Sequence, residues 1–386
     1  MNIAKEIHRR IYSSIQRKKA YLHEPIFDKN EIEILKKCIN SGYVSTSGNF
    51  VEKFEKKITK LTKSKYAVAV VNGTAALEIA LKVSDIKLGD EVLVPSITFV
   101  GTANAVSLVN AIPHFIDSDL NNLGICLNSL EAHLKKISRF NSNRELINKY
   151  TGRKIKAIIP VHIYGNIIDM DRLNYISKRY KLTVIEDAAE ALGSYYKLKH
   201  AGTLGTFGII SFNGNKLITT GGGGVILTNN KKFAQKAKHL SSTSKLDHPW
   251  NYYHDFVGWN YRMPSLNAAL GCAQIKKVKR IIFLKRKLAN ICHQNFNNCK
   301  EFSIISESKN CKCNYWLNTI KLTKENTNYR NKILNYLVKK GYQCRPIWEP
   351  LHKLPMYKNC PRAKLVNVEK IKKKIIALPS SPKLVS

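Results

Sequence analysis

Ser211-Phe-Asn-Gly-Asn-Lys216-Leu-Ile-Thr-Thr-Gly-Gly-Gly-Gly224-Val-Ile-Leu-Thr228 sets one lysine between two apolar, β-branched runs, behind a hydroxyl residue and ahead of four consecutive glycines. Two strands with so short a segment between them hold the amine on a tight loop. Glycines accept positive φ and close backbone approach, so a bulky ligand can reach that loop. A lysine amine becomes a nucleophile toward a carbonyl carbon when it is partly desolvated or set near other positive charge. The same residues also suit a surface lysine beside a flexible hairpin, and the segment alone does not choose between the two.

Outward from this loop the chain alternates short apolar runs with helical periodicity. Residues 66–71 read as a strand, followed by Asn72-Gly-Thr74 and a helical run over 75–81. A strand over 91–94, the loop Pro95-Ser-Ile-Thr-Phe99, a helix over 100–109 and a strand over 114–116 follow. The strand at 157–161 runs into His162-Ile-Tyr-Gly165 and a helix over 169–179, and the strand at 182–185 ends in Glu186-Asp-Ala-Ala-Glu190. The polar, basic stretch 121–153 reads as an excursion with helical pieces. This order predicts an α/β fold, a mainly parallel sheet sandwiched by helices.

In such sheets ligands sit beyond the carboxyl ends of the strands. Asn72-Gly-Thr74, Phe99, His162, Asp187 and Ser211 with Lys216 all fall there. A strand entering a helix at Asn72-Gly-Thr74 leaves free N–H groups suited to a phosphate, although Asn72 or Thr74 equally suits a plain helix cap. An amine, a carboxylate, an aromatic ring and a phosphate cradle together are what pyridoxal 5'-phosphate (PLP) requires.

Composition bounds the alternatives. The 386 residues suffice for a large domain with a smaller companion. No apolar run approaches a membrane span, and nine scattered cysteines in a chain without a secretion signal point to reduced thiols and a cytoplasmic protein. Cys311-x-Cys313 lacks a second pair or a nearby histidine, which argues against zinc. The net charge of +37 comes from dispersed lysines, such as Lys231, Lys232, Lys236 and Lys238, outside any nucleic-acid motif. It reads as a solvated surface that draws in anionic small substrates, with no specific nucleic acid and no membrane insertion.

The motifs Asn72-Gly-Thr-Ala-Ala-Leu77, Pro95-Ser-Ile-Thr-Phe99, Pro160-Val-His-Ile-Tyr-Gly165, Glu186-Asp-Ala-Ala-Glu190, Ser211-Phe-Asn-Gly-Asn-Lys216 and Gly258-Trp-Asn-Tyr-Arg-Met-Pro-Ser-Leu-Asn-Ala-Ala-Leu-Gly271 resemble, in matching order, the DegT/DnrJ/EryC1/StrS family of nucleotide-sugar aminotransferases. The resemblance runs over about residues 21–382 and implies a fold-type I PLP-dependent transferase. Its large PLP-binding domain would span 1–271, N-terminal helical segment included, and a smaller C-terminal α+β domain 272–386.

By this resemblance Lys216 is the Schiff-base lysine and Asp187 the partner of the pyridine nitrogen. Glu190 lies near the cofactor's phenolic oxygen, Phe99 stacks on its ring, and Gly73, Thr74 and Ser211 hold its phosphate. Asn260 reaches the phosphate from a second subunit, which implies a homodimer with shared active sites. His162, Arg345, His352 and Lys353 are candidates for substrate, the last three for a sugar diphosphate. Many family members carry Gly-Glu-Gly-Gly where this chain has only glycines at 221–224. Segments 213–224 and 345–357 are similar to a subgroup acting on UDP-4-keto-6-deoxy-N-acetylhexosamines. The expected reaction moves an amino group from L-glutamate to C4 of such a sugar. The alternatives are a GDP-4-keto-6-deoxymannose (perosamine-type) enzyme and a non-catalytic PLP-binding regulator or scaffold. A lysine at 216 argues against the relatives that carry histidine there and dehydrate their substrates.

Overall fold

Successive residues of the central strands point to opposite faces, and both faces are apolar. Val68 and Val70 join one core with Val92 and Val94, while Ala69 and Leu93 join the other. The computed structural model describes residues 2–385. Helices Gly73–Val83, Gly101–Leu108 and Lys231–Ser241 cover the first face through residues such as Leu77, Val106 and Leu240. Helices Phe50–Thr62, Leu127–Ile137, Met170–Arg179 and Ser265–Gln274 cover the second through Phe54, Leu130, Leu173 and Ala268.

The large sheet has seven strands. Tyr66–Val70, Gly224–Thr228, Phe207–Ser211, Thr183–Asp187, Ile155–Ile158, Glu91–Pro95 and Ile112–Ile116 lie side by side in that order. Gly224–Thr228 runs antiparallel to both its neighbours, and the other pairings are parallel. Together with the covering helices, this is the mainly parallel, sandwiched sheet that the sequence predicts. The parallel strands all end at one edge, where Gly73, Phe99, Asp187 and Ser211 follow or close them. Gly224 is required there by close approach: a Cβ would lie 2.4 Å from the Asn72 carbonyl oxygen. Its glycine thus serves the chain's own turn rather than a ligand.

The excursion at 121–153 contains helix Leu127–Ile137 and a two-stranded hairpin, Ser138–Phe140 with Leu146–Asn148, that periodicity did not reveal. The C-terminal part builds a four-stranded antiparallel sheet in the order Phe302–Ile304, Thr319–Leu322, Ile375–Ala377, Arg345–Pro346. Helices Val278–Phe296 and Thr327–Lys339 cover it. The strand Thr319–Leu322 leaves Trp316 in the loop that precedes it.

Helix Asn2–Ile15 departs from the expected partition. Its stripe of Ile3, Ile7, Ile11 and Ile15 joins Leu288, Cys292, Phe296, Phe302 and Leu337 in one core. Apolar spacing of i, i+4 announces a helix but not its partner, and here the partner is the small sheet's layer rather than the large domain. Among the described residues no helix is long and apolar enough to cross a membrane.

Candidate active site

At the carboxyl edge of the large sheet lies a cleft of about 400 Å³, lined among others by Gly73, Thr74, Phe99, Asp187, Glu190, Ser211 and Lys216. They arrive from four strand ends: Gly73 and Thr74 after Tyr66–Val70, Phe99 after Glu91–Pro95, Asp187 and Glu190 at the end of Thr183–Asp187, and Ser211 and Lys216 at the end of Phe207–Ser211. The Asn72 side chain caps its helix by accepting the Ala75 N–H at 2.8 Å, which leaves the Gly73 and Thr74 N–H groups for a ligand. The cap and the anion cradle are therefore one device. Gly73 lies against the Ser211 side chain, so the hydroxyl joins the same corner. Gly101 permits the other wall, since a Cβ there would sit 2.8 Å from Thr74 Oγ1 and 3.1 Å from the Phe99 ring. Phe99 is 58% exposed and lines the cleft, a state suited to stacking on a planar ligand.

Two carboxylates face the lysine. Asp187 accepts the Thr102 hydroxyl on Oδ2 at 2.8 Å and the Ala189 N–H on Oδ1 at 3.2 Å. Burial raises its carboxyl above the ordinary 3.8, opposed chiefly by the Thr102 hydrogen bond and also by Lys216. Glu190 accepts the Tyr164 N–H on Oε2 at 2.8 Å and lies 3.5 Å from the Lys216 amine through Oε1. Burial raises this group too, against the pull of the Lys216 charge, while Asp187 adds to the rise. A buried acid whose ionisation is disfavoured, facing an open cleft, suits a ligand that brings a cation to it.

The lysine loop is firmly tied. Phe212 donates its N–H to the Gly223 carbonyl and accepts from Thr220, each at 2.9 Å, and the Lys216 N–H closes a turn on the Asn213 carbonyl at 3.0 Å. The Lys216 side chain is 14% exposed. The partial desolvation that the sequence reading asked for is present, whereas the charged neighbour is the Glu190 carboxylate and not the positive group it named as the alternative.

The residues of this cleft fit PLP. Gly73, Thr74 and Ser211 offer donors to a phosphate, Phe99 a stacking face, Asp187 an acid for a ring nitrogen, and Lys216 an amine within the same volume. Trp316, Trp348 and Thr102 also line it. The sequence reading did not single these three out. Trp316 belongs to none of the motifs, and Trp348 lies unremarked within segment 345–357. Tryptophan, used only four times in the chain, was the available signal.

Other candidates lie elsewhere. His162 is fully buried, and its Nε2 donates to Glu186 at 3.0 Å. Glu186 in turn accepts the N–H groups of Gly202, Leu204 and Gly205, so the pair braces the loop behind Asp187 and does not line the cleft. His352 Nδ1 is 2.7 Å from Ser96 Oγ, and Lys353 donates to Glu369 at 2.7 Å. Arg345 is exposed and donates to the Cys344 carbonyl at 3.3 Å. None of these three lines the cleft of its own chain. Asn260 is exposed, outside the cleft, and accepts from the Arg262 guanidinium.

Comparison with known proteins gives the same picture. The profile of the DegT/DnrJ/EryC1/StrS aminotransferase family matches residues 25–386. GDP-perosamine synthase of Escherichia coli O157:H7 is 35% identical over 336 residues, 87% of this chain and 86% of that protein. The putative pyridoxal phosphate-dependent aminotransferase EpsN of Bacillus subtilis is 34% identical over 340 residues, 88% of this chain and 84% of that one. Among solved structures, Helicobacter pylori PseC, an aminotransferase involved in the biosynthesis of pseudoaminic acid, superposes with a TM-score of 0.83 at 24% identity, covering 94% of this chain and 93% of its own.

Proposed function

The chain belongs to the DegT/DnrJ/EryC1/StrS aminotransferase family, and on that premise we propose that it transfers an amino group from L-glutamate to C4 of a nucleotide-linked 4-keto-6-deoxy sugar. It is a PLP-dependent aminotransferase. The observation that carries the residue assignment is the single cleft holding the Lys216 amine, the Asp187 carboxyl and the Gly73-Thr74 helix start.

Lys216 Nζ would bond the cofactor, then move protons. When bound, PLP supplies an electron-withdrawing ring that delocalises the charge left as the donor's α proton departs. Asp187 would keep a proton on the ring nitrogen, its carboxylate held in place by the Thr102 hydroxyl and the Ala189 N–H. Lys216 Nζ would take the α proton of glutamate in the first half of the reaction and deliver a proton to C4 of the sugar in the second. Glu190 would steady the ammonium formed between those steps. Trp316 and Trp348 wall the cleft and would shield a bound sugar from water.

For the acceptor, the name of the Escherichia coli relative supports GDP-4-keto-6-deoxymannose as the first reading, ahead of the UDP sugar that the sequence suggested. A UDP-4-keto-6-deoxy-N-acetylhexosamine is the second reading, supported by segments 213–224 and 345–357, the latter of which brings Trp348 to the cleft. Arg345, exposed and with its guanidinium on a backbone carbonyl, remains our candidate for the diphosphate; His352 and Lys353 are engaged by Ser96 and Glu369. A homodimer is also part of this reading. Asn260 lies outside its own cleft, and the nearby stretch 250–257 exposes Trp250, Tyr252, Tyr253, Phe256 and Val257, an apolar surface that a second copy would cover.

The test is a panel of GDP-, UDP- and dTDP-linked 4-keto sugars with PLP and L-glutamate, the product configuration read by NMR. Amination of the GDP sugar alone supports the first reading, and amination of the UDP sugar alone replaces it with the second. No product from any of them removes the proposed acceptor class.

A further inference from the structure

The Lys216 amine lies 4.2 Å from the centroid of the Trp316 ring, and the indole N–H of that same residue donates to the Asn215 carbonyl at 2.8 Å. One side chain of the small domain thus touches both the lysine's head and the peptide immediately before it. We propose that Trp316 is a positioning residue for Lys216: its indole face carries the ammonium whenever Nζ is not bonded to the cofactor, and its N–H anchors the loop from which the amine projects. The inference rests on the aminotransferase reading of the site.

Trp316 is itself fixed from three sides. Its backbone N–H donates to Asn314 Oδ1 at 2.8 Å, and the Asn314 amide donates to the Glu190 and Leu192 carbonyls, each at 2.9 Å. The ring is therefore keyed to the segment that carries Glu190. Its carbonyl takes the Lys285 amine at 2.6 Å, which also holds the Ser380 carbonyl at 2.5 Å. Lys285 is wholly buried and both its contacts are backbone, so it clamps the Trp316 loop to the C-terminal segment.

The charged and titratable groups around Lys216 are few. Glu190 Oε1 lies at 3.5 Å, Asp187 acts through space, and His23 lies behind the tryptophan with ring centroids 6.5 Å apart. Burial pushes His23 well below its ordinary value, and neither of its ring nitrogens has a hydrogen-bond partner among the described residues. It gives the ammonium no countercharge. The indole face supplies attraction with no basic atom of its own to take the proton, and the Glu190 carboxylate at 3.5 Å is the charged neighbour it works beside. When the neutral amine takes the donor's α proton, the C–H electron pair stays with the carbon and the group attached to it, and the new positive charge on Nζ lies over that face. Removing the face should slow this step about tenfold.

Competitive labelling of the cofactor-free protein with acetic anhydride across pH, read on the Lys216 peptide by mass spectrometry, tests this without turnover. Only the neutral amine acylates. Its labelling midpoint should move down by about one pH unit in Trp316→Leu and much less in Trp316→Phe, which keeps an aromatic face. With PLP, the glutamate-driven spectral change should slow about tenfold in the leucine variant and less in the phenylalanine variant, which keeps a ring face but loses the hydrogen bond to the Asn215 carbonyl. Fluorinated tryptophans, which weaken the ring's negative face at nearly constant shape, should shift the midpoint in graded steps, and they decide the matter if Trp316→Leu does not fold. An unmoved midpoint in the leucine variant or the fluorinated series, or equal losses in Phe and Leu, overturns the proposal. Failure of the wild-type protein to respond to glutamate would instead strike the aminotransferase reading, and the labelling result would stand apart from it.

Discussion

Lys216 Nζ lies 3.5 Å from Glu190 Oε1, while the other oxygen of that carboxylate holds the Tyr164 N–H at 2.8 Å. Glu190 therefore has two separable duties. Tyr164 adopts a left-handed backbone conformation, φ 55°, and its N–H has this acceptor. Glu190→Gln keeps an amide oxygen for that N–H and should change stability by less than about 1 kcal/mol, because the buried ion pair it removes is long and already costly to desolvate. Glu190→Ala strands the N–H and should cost about 1–3 kcal/mol in denaturant unfolding. Equal losses in the two variants would contradict this division.

Asp187→Asn should retain the fold, since an amide can still meet the Thr102 hydroxyl and the Ala189 N–H that the carboxylate now accepts. It cannot keep a proton on a ring nitrogen by charge. The glutamate-driven conversion of bound PLP, followed by stopped-flow absorbance, should fall by about a hundredfold or more. Near-native rates would detach Asp187 from the cofactor.

The pH dependence of PLP stabilisation has a definite sign. Asp187 and Glu190 are both raised by burial from their ordinary 3.8 and 4.5. Between those values and the raised ones the folded, cofactor-free protein binds more protons than the unfolded chain. Its stability therefore falls as pH rises through that window, and the loss is complete above it. A cation brought to Asp187 relieves the penalty. The gain in melting temperature on adding PLP should grow from about pH 4 toward neutrality, and Asp187→Asn should flatten the rise. A gain that shrinks over that range in wild-type protein would reverse the assignment.

The glycine run separates into tolerant and intolerant positions. A Cβ at 224 would meet the Asn72 carbonyl at 2.4 Å, whereas one at 222 finds nothing nearer than 3.7 Å. Gly224→Ala should cost about 1–3 kcal/mol and weaken PLP binding by displacing the turn before Gly73. Gly222→Ala should be near neutral on both counts. Denaturant midpoints and PLP titrations of the two variants check this directly.

If Asn260 serves the site of a second copy, variants at Lys216 and Asn260 should complement. Co-refolding inactive Lys216→Ala with a weakened Asn260→Ala protein should produce hybrid dimers with one site intact, and activity above that of either parent. Activity that never exceeds the parents' would place both residues in one chain's site or remove Asn260 from it.

The sheet was legible because its strands are short, apolar on both sides and separated by helical spacing, and the rule that ligands gather at strand carboxyl ends then selected Gly73, Phe99, Asp187 and Ser211. Residues contributed from outside that sheet were not legible in the same way. Trp316 sits in a loop whose apolar character blends into the strand starting at Thr319, and nothing local marks its indole as turned toward Lys216. His162 shows the opposite failure: its place after a strand suggested a ligand, but buried Glu186 claims its Nε2. An N-terminal helical segment was expected too, but not that its isoleucines belong to the core built by Leu288 and Phe302. Each of these depends on contacts distant in sequence, which pattern alone does not carry.

The central claim is that the Lys216 amine bonds PLP and carries the amino-group transfer. The absorption spectrum of the purified protein with PLP, before and after L-glutamate, with Lys216→Ala in parallel, tests it most directly. The account predicts a cofactor–lysine band in the wild type that gives way to a pyridoxamine phosphate spectrum on adding glutamate, and neither band nor conversion in the alanine variant. A band that persists in Lys216→Ala, or a wild-type spectrum indifferent to glutamate, would contradict it.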